Sequence, residues 1–402
     1  MRKTGNLKFI QELNRSIIFD TIRELGPISR IEIAKKTGVS PTTVTSAVSE
    51  LIAEGLVIEV GMGQSSGGRK PILLKFDPNG RFLIGVCITH TYISMAEMNL
   101  EAEVRRKRLI SFSGKTGRDL IEYILDSIQL FMDGCHDLRN CLGISLIVPG
   151  IVDSDQGRIV YNSKLKLQNI PFKKMVEQRF DLKAYLDNDT NSIAMAEKLF
   201  GSFKQYKNLI YIMIGDGIGA GIIINDSIYR GHRGGAGEFG HTITDRGGAR
   251  CECGNSGCLE NYASWHAIYS RILTAIGRGN STLMLELAKG DLLQITPKIF
   301  NYALKQGDTL ALDIIEEIAI HLSIGICNII NLMDPEVVIL GGELVEQNPL
   351  LLEMINQQIS QKAMNAKKSK AMVYPASLGE DFGLVGAASV LLQAHFNSRL
   401  ST

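Results

Sequence analysis

The hydrophobic pattern divides the chain before any composition is counted. From Leu7 to Leu25 apolar residues recur at helical spacing, with Leu13, Ile17, Ile18 and Ile22 on one face, and the run stops at Gly26-Pro27. Ser29, followed three residues later by Glu32, makes a capping box and predicts a short helix that ends at Gly38. Ser40 as N-cap and Pro41 at the first helical position open a third helix running to Gly55. Its buried stripe is Val44, Val48, Leu51 and Ile52, which leaves Thr42, Thr43, Thr45 and Ser46 exposed beside Ser40. Two apolar runs, Leu56 to Val60 and Pro71 to Phe76, then predict a strand pair joined by GMGQSSGGRK.

Helix, tight turn, helix and a strand pair in that order make a winged helix-turn-helix, which predicts a DNA-binding domain over residues 1–78. The hydroxyls of Ser40, Thr42, Thr43, Thr45 and Ser46 suit phosphates and base edges in a major groove. Arg69 and Lys70, on a glycine-rich tip with Gln64, Ser65 and Ser66, suit the DNA backbone or a minor groove. The competing reading is a small helical protein-interaction module whose hydroxyls only cap and solvate a helix.

After the turn Asp77-Pro78-Asn79-Gly80 the pattern changes to strands. Strands are predicted at Phe82 to Ile88, Tyr92 to Met98, Val104 to Ile110, Leu142 to Val148, Lys183 to Leu186, Leu209 to Ile214, Gly221 to Ile224 and Val337 to Leu340. Leu120 to Met132 is an amphipathic segment, and the clearest helix runs from Leu310 to Leu332. Such mixing over some three hundred residues predicts an α/β body of two lobes around a cleft.

Composition narrows this only modestly. With 45% apolar and 21% charged residues the chain reads as globular, and the net charge of +1 argues against generic polyanion binding. Residues 1–80 nevertheless hold 11 Lys and Arg against 8 Asp and Glu, so the positive excess sits at the DNA-binding end. No run of eighteen apolar residues occurs, and no apolar segment follows the basic start at Met1 to Lys3. The expectation is therefore no membrane insertion, no signal peptide and a cytoplasmic location. Of seven cysteines, Cys87, Cys135, Cys141 and Cys327 sit in apolar runs and are expected as buried free thiols.

The other three belong to the stretch with the most chemistry, Gly234 to Glu260. His241, Cys251, Cys253 and Cys258 offer one imidazole and three thiolates, the donor set of a closed tetrahedral zinc site. Gly254 and Gly257 are the positions where a tight loop would need positive φ. Three protein thiolates and a histidine leave no open coordination position, so a structural Zn2+ is predicted and not a hydrolytic one. Gly235 to Gly240 matches GxGxxG, but a histidine and cysteines follow where a nucleotide-binding helix should start, and the dinucleotide reading fails. His90, His232, His266 and His321 have no second ligand at useful spacing.

The winged helix with GQSSGGRKP, Pro149-Gly150, Leu186-Asp-Asn-Asp189, GDGIGAG, GAGEFGH and CECGNSGCLE together resemble the ROK family of sugar kinases and sugar-responsive repressors, in its repressor branch. The resemblance covers nearly the whole chain. It implies a two-lobed actin-like, hexokinase-type (ribonuclease H-like) body, with a smaller lobe of residues 79–190 and 383–402 and a larger zinc-bearing lobe of 191–382. It also implies sugar held by Asn188, Asp189, Glu238, His241 and Glu260, and a homodimer or homotetramer. Carboxylates that accept from vicinal hydroxyls suit a polyol, although helix capping would equally explain Asn188 and Asp189.

Asp189 also stands where kinases of this family keep their general base. Those kinases open the first strand pair with DxGGT, whereas this chain has Cys87-Ile-Thr-His-Thr91. A neutral thiol does not replace a carboxylate, and the side chains of Thr89 and His90 obstruct close backbone approach to phosphate. The expectation is a repressor of carbohydrate-utilisation genes with operator DNA as partner, a free sugar as effector and no catalysis, Asp189 being vestigial. The alternatives are an active ATP-dependent sugar kinase with an accessory DNA-binding domain, and a zinc- or redox-sensing regulator. Some relatives respond to a protein partner, which makes one a further candidate here.

Overall fold

The computed structural model of the chain describes residues 7–63, 70–112, 114–135, 137–346, 348–362 and 373–397. Gln64, Ser65, Ser66 and Arg69 of the wing tip lie outside the described residues. The N-terminal unit comprises α1 (Leu7–Leu25), β1 (Ile28–Ser29), α2 (Arg30–Thr37), α3 (Pro41–Ala53), β2 (Val57–Met62) and β3 (Ile72–Phe76). The capping box forms in both directions: Glu32 N donates to Ser29 Oγ at 3.3 Å and Ser29 N donates to Glu32 Oε2 at 2.9 Å. Ser40 Oγ accepts from Thr43 N at 3.2 Å and so caps α3. The antiparallel pair β2 and β3 extends beyond the predicted Val60 to Met62, and β1 adds a third strand on β3 that is too short to register in the hydrophobic pattern.

The body begins with β4 (Phe82–Ile88), β5 (Tyr92–Met98), β6 (Val104–Ser111), α4 (Gly117–Met132) and β7 (Cys141–Val148). A small three-stranded sheet follows, β8 (Ile151–Asp153), β9 (Arg158–Asn162) and β10 (Leu167–Ile170), then α5 (Phe172–Phe180), β11 (Ala184–Asn188) and α6 (Asp189–Leu199). The remainder is β12 (Leu209–Ile214), β13 (Ile218–Ile224), β14 (Ser227–Ile228), α7 (Glu260–Ala263), α8 (Trp265–Gly277), α9 (Leu283–Leu287), α10 (Pro297–Lys305), α11 (Thr309–Met333), β15 (Val337–Gly341), α12 (Pro349–Lys362), β16 (Val373–Pro375) and α13 (Phe382–Asn397).

Two five-stranded sheets organise these elements, in the orders β11-β7-β4-β5-β6 and β14-β13-β12-β15-β16. Each has three antiparallel strands in succession, then a parallel strand on the far side of the first, then another parallel strand outside it. The α/β body is thus the same topology built twice, although the sequence shows no repeat. Central β4, FLIGVCI, is buried at every residue because α4 lies on one side of its sheet and α13 covers β4 and β7 on the other. α6 packs on β12 and β13 and along α13, so these two helices join the sheets.

The winged helix is not suspended on a free linker. Ile18, Phe19, Val48, Leu51 and Phe76 form one apolar cluster with Leu83, Met98, Leu384 and Leu391 of the body. Phe19 stacks on Phe396 of α13 with ring centroids 4.7 Å apart. At the turn before β4, Arg81 Nε donates to Glu54 O at 2.7 Å, and a side chain on Gly80 would run into the Gly55 carbonyl. Cys87 and Cys327 are buried as expected, but Cys135 and Cys141 are only half-buried, since they lie at strand and helix ends and not within them. All seven cysteines are free.

Candidate metal centre and interlobe cleft

The segment between β14 and α7 carries no regular strand and one 3-10 turn, Phe239–His241. Gly254 and Gly257 adopt φ of +97° and +75°, and a Cβ on Gly257 would collide with the Asp245 carbonyl, so the loop requires glycine there. This folding brings the ligand atoms of His241, Cys251, Cys253 and Cys258 within 4.8 Å of one another. Cys253 Sγ lies 3.6 Å from Cys258 Sγ, and Cys251 Sγ lies 3.7 Å from His241 Nδ1. A tetrahedron with metal–sulfur bonds of ~2.3 Å has edges of ~3.8 Å, so the four donors fit a single ion. The His241 ring presents Nδ1 to the cysteines and Nε2 to Glu238 Oε2 at 4.0 Å. Tyr262 secures the loop from behind: its hydroxyl donates to Asp245 Oδ2 at 2.9 Å and its ring stacks on His321 of α11 at 3.9 Å.

Asn188 and Asp189 meet this loop from the other lobe, at the C-terminal end of β11 and the start of α6. Asn188 is the N-cap: its Oδ1 accepts from Asn191 N at 2.9 Å, while Nδ2 donates to Gly150 O and to Asp189 Oδ1, both at 3.0 Å. The capping role foreseen for it is therefore real and uses the amide oxygen, while both amide hydrogens are spent on Gly150 and Asp189. Asp189 accepts from Asn188 Nδ2, Thr190 N and Thr190 Oγ1, all on Oδ1. Burial pushes its carboxyl above the ordinary carboxylate range against the opposing pull of Thr190. Burial does the same to Glu238, with His241 pulling down and Glu260 pushing up, which places Glu238 in one electrostatic group with both. Glu260, the first residue of α7, accepts from Ile218 N through Oε2 at 3.0 Å, and Gly217 and Gly240 lie against the same oxygen. The charge of Glu238 raises Asp189 and that of Glu260 raises Glu238, so the three carboxylates lie near one another.

The turn between β4 and β5 is closed by its own side chain. Thr89 Oγ1 accepts from Thr91 N at 3.3 Å and from Tyr92 N at 3.1 Å. Burial pushes the Cys87 thiol up to about 12, with Asp189 contributing in the same direction, so it is uncharged near neutral pH. Hydrophobic pattern gave no sign of Arg230, whose Nη2 reaches Asp187 Oδ2 at 2.6 Å and ties the loop ahead of Gly234 to the end of β11. Burial raises the Asp187 carboxyl despite that guanidinium. The two residues are 43 apart in sequence, a separation at which no local signal pairs an arginine with an aspartate.

On the N-terminal unit, Thr42, Thr45 and Ser46 are exposed along α3, but their hydroxyls are not equivalent. Thr45 Oγ1 donates to Pro41 O at 2.8 Å, and Ser40 Oγ and Thr43 Oγ1 bond each other at 2.8 Å. Thr42 and Ser46 make no such bond among the described residues. Lys70 is exposed at the end of the wing.

The sequence matches the ROK family over residues 83–394 and a winged helix-turn-helix DNA-binding family over 14–58. The chain belongs to the ROK family. Its N-terminal domain places it with the ROK transcriptional regulators that act as repressors. The xylose repressor of Caldicellulosiruptor bescii is 33% identical over 390 residues, covering 96% of this chain and 97% of that one. The DNA-binding transcriptional dual regulator NagC of Escherichia coli is 32% identical over 397 residues, covering 98% and 96%. A solved ROK family transcriptional regulator, a homologue of the Escherichia coli Mlc protein, superposes with a TM-score of 0.85 at 27% identity over 98% of each chain. A ROK family glucokinase from Streptomyces griseus, solved with glucose and AMPPNP, matches 76% of this chain and 98% of its own with a TM-score of 0.69 at 30% identity. The ROK body is therefore common to regulators and kinases, and the winged helix distinguishes the former.

Proposed function

We propose that this ROK protein is a sugar-responsive repressor of carbohydrate-utilisation genes, acting in the cytoplasm as a homodimer or homotetramer and released from its operator by a free sugar. The sugar is held in the cleft by Asp189, Glu238, His241 and Glu260, with Asn188 fixing the start of α6 and offering its remaining carbonyl lone pair. A structural zinc on His241, Cys251, Cys253 and Cys258 orients the His241 Nε2 side of the ring toward the cleft, and its role is to brace and not to react. Thr42 and Ser46 read the major groove, Ser40, Thr43 and Thr45 shape the start of α3, and Arg69 and Lys70 reach the DNA backbone. The three parts correspond to residues 1–78, the lobe of 79–190 with 383–402, and the lobe of 191–382.

The observation that carries this reading is the position of α13. It packs along α6, whose first residue is Asp189, and its far end carries Phe396 on Phe19 of the winged helix. A ligand that binds two lobe arrangements unequally changes where α13 holds the two winged helices of a dimer; a tenfold change in operator affinity needs a difference of only ~1.4 kcal/mol. The test titrates the full chain onto a labelled DNA fragment from upstream of its own gene, with and without a sugar panel. Release by one sugar, abolished in Asp189→Asn, is expected; operator binding indifferent to every sugar but sensitive to a protein partner or to chelation would replace the effector assignment.

The raised Asp189 carboxyl also favours a second reading, an active sugar kinase, because a general base needs an elevated pKa. Against it stand the uncharged Cys87 and the Thr89-closed turn. Labelled ATP with the releasing sugar decides: transfer at ordinary kinase rates, lost in Asp189→Asn, establishes the kinase.

A further inference from the structure

Beside the cleft lies a cavity of about 440 Å³, within the ~300–1,000 Å³ range of small-molecule sites. His90 of the β4–β5 turn and Lys164 of the β9–β10 loop face it from one lobe. Asp216 of the β12–β13 turn, Glu252 between two metal-cluster cysteines, and Trp265 and Tyr269 of α8 face it from the other. Lys164 Nζ closes one side by donating to Asp216 O at 3.1 Å.

The aromatic wall is held in place. Ser264 Oγ caps α8 by accepting from Ala267 N at 3.3 Å, and Trp265 N donates to Gly215 O at 2.8 Å. The indole then packs edge-on to Phe300 at 6.3 Å and tilted to Tyr269 at 6.2 Å, keeping part of its surface open. The cavity adjoins the residues assigned to the sugar: Gly217 follows Asp216 directly and lies against Glu260, and the His90 imidazole feels the charges of both Asp216 and Glu260.

Charge decides what kind of molecule fits. Burial and the neighbouring Lys164 lower the His90 pKa, and the fixed charges of the lining are one lysine against two carboxylates, Asp216 and Glu252, with the His266 imidazole also lining the cavity. That balance repels a nucleotide or a sugar phosphate and suits a neutral polyol, whose hydroxyls donate to carboxylates while its C–H face lies on an aromatic ring.

We propose that this cavity is a second carbohydrate subsite, in which Trp265 stacks on a neutral sugar unit joined to the one held at Asp189, Glu238 and Glu260. The effector is then a disaccharide or short glycoside and not a monosaccharide. The assignment rests on the cleft itself being a sugar site.

Trp265 is the single tryptophan of the chain, so all tryptophan emission arises at this cavity. Full-length protein is titrated with xylose, glucose and N-acetylglucosamine, with xylobiose, cellobiose, maltose and diacetylchitobiose, and with ATP and glucose 6-phosphate. One disaccharide is expected to change the tryptophan emission and to bind about tenfold more tightly than its own monosaccharide. Trp265→Ala removes that advantage and leaves monosaccharide affinity, read by calorimetry, unchanged; Trp265→Phe retains most of it and controls for folding. Equal binding of the two lengths with unaltered emission overturns the subsite and spares the cleft. An emission change with ATP or glucose 6-phosphate, and none with disaccharides, overturns the neutral occupant. Failure of every sugar to bind overturns the cleft reading together with the subsite.

Discussion

The turn from β4 to β5 and the turn from β12 to β13 hold the same place in two sheets of the same topology, yet they are built on opposite principles. The first, Ile88 to Tyr92, is filled by side chains: Thr89 closes it with its hydroxyl and the neutral Cys87 lies beneath it. The second, Ile214 to Ile218, keeps Gly215 with open space around it and Gly217 against Glu260. A glycine turn leaves backbone amides approachable, while a turn closed by its own threonine has used them. Duplication of a fold therefore does not duplicate a site, because the chemistry lies in turn residues that the sheet does not constrain.

Breaking the first turn should have the largest effect. Cys87→Asp places a carboxylate next to Asp189 and against Gly383 of α13, where burial and Asp189 both oppose its charge and no cation acts on the site among the described residues. A loss of about 3–5 kcal/mol is expected in urea unfolding, the scale of an uncompensated buried charge. An unchanged midpoint would mean that the site still accepts an acid and that the kinase-like geometry survives. In the second turn, Gly217→Ala puts a Cβ 3.0 Å from Glu260 Oε2, and crowding of about 1–3 kcal/mol should appear as weaker sugar binding more than as a lower Tm. Sugar affinity equal to that of the parent would remove Glu260 from the site. Thr89→Val, which deletes only the turn-closing hydroxyl, should cost about 0.5–1.5 kcal/mol and leave operator binding intact.

A further difference is read by its sign. Asp189 has a folded-state carboxyl raised above its ordinary value of 3.8, so its contribution to stability is fully present below that pH and is lost as pH rises through the folded value. Asp189→Asn cannot lose it. The Tm of the variant relative to the parent should therefore climb between acid and neutral pH, and a flat difference would show that Asp189 is not desolvated by the cleft.

Much of this was legible in the chain. Both caps of the helix-turn-helix, the limits of β12 and α11 to within a residue, and the positive φ of Gly254 and Gly257 follow from local rules, because each depends on residues within a few positions of one another. The four metal-cluster residues were equally plain, since their donors fall within eighteen residues and the loop glycines announce a tight fold. Asn188 shows the limit: its amide type fits a cap and a sugar contact alike, and only the folded chain shows that its oxygen makes the cap while both hydrogens are spent on Gly150 and Asp189.

Tertiary structure alone decided the rest. The pairing of Asp187 with Arg230, the docking of Phe19 on Phe396 and the gathering of His90, Lys164 and Asp216 around Trp265 join residues tens to hundreds of positions apart. Sequence determined which local elements form and which loop can hold a metal, because caps, turns and donor spacing act over one or two turns of chain. The cavity beside Trp265 and the packing that leads from Asp189 of α6 along α13 to the DNA-binding unit arise only when the two sheets pack against each other. Burial and long-range contact, which set those charges and surfaces, are properties of the assembled core and of no single segment.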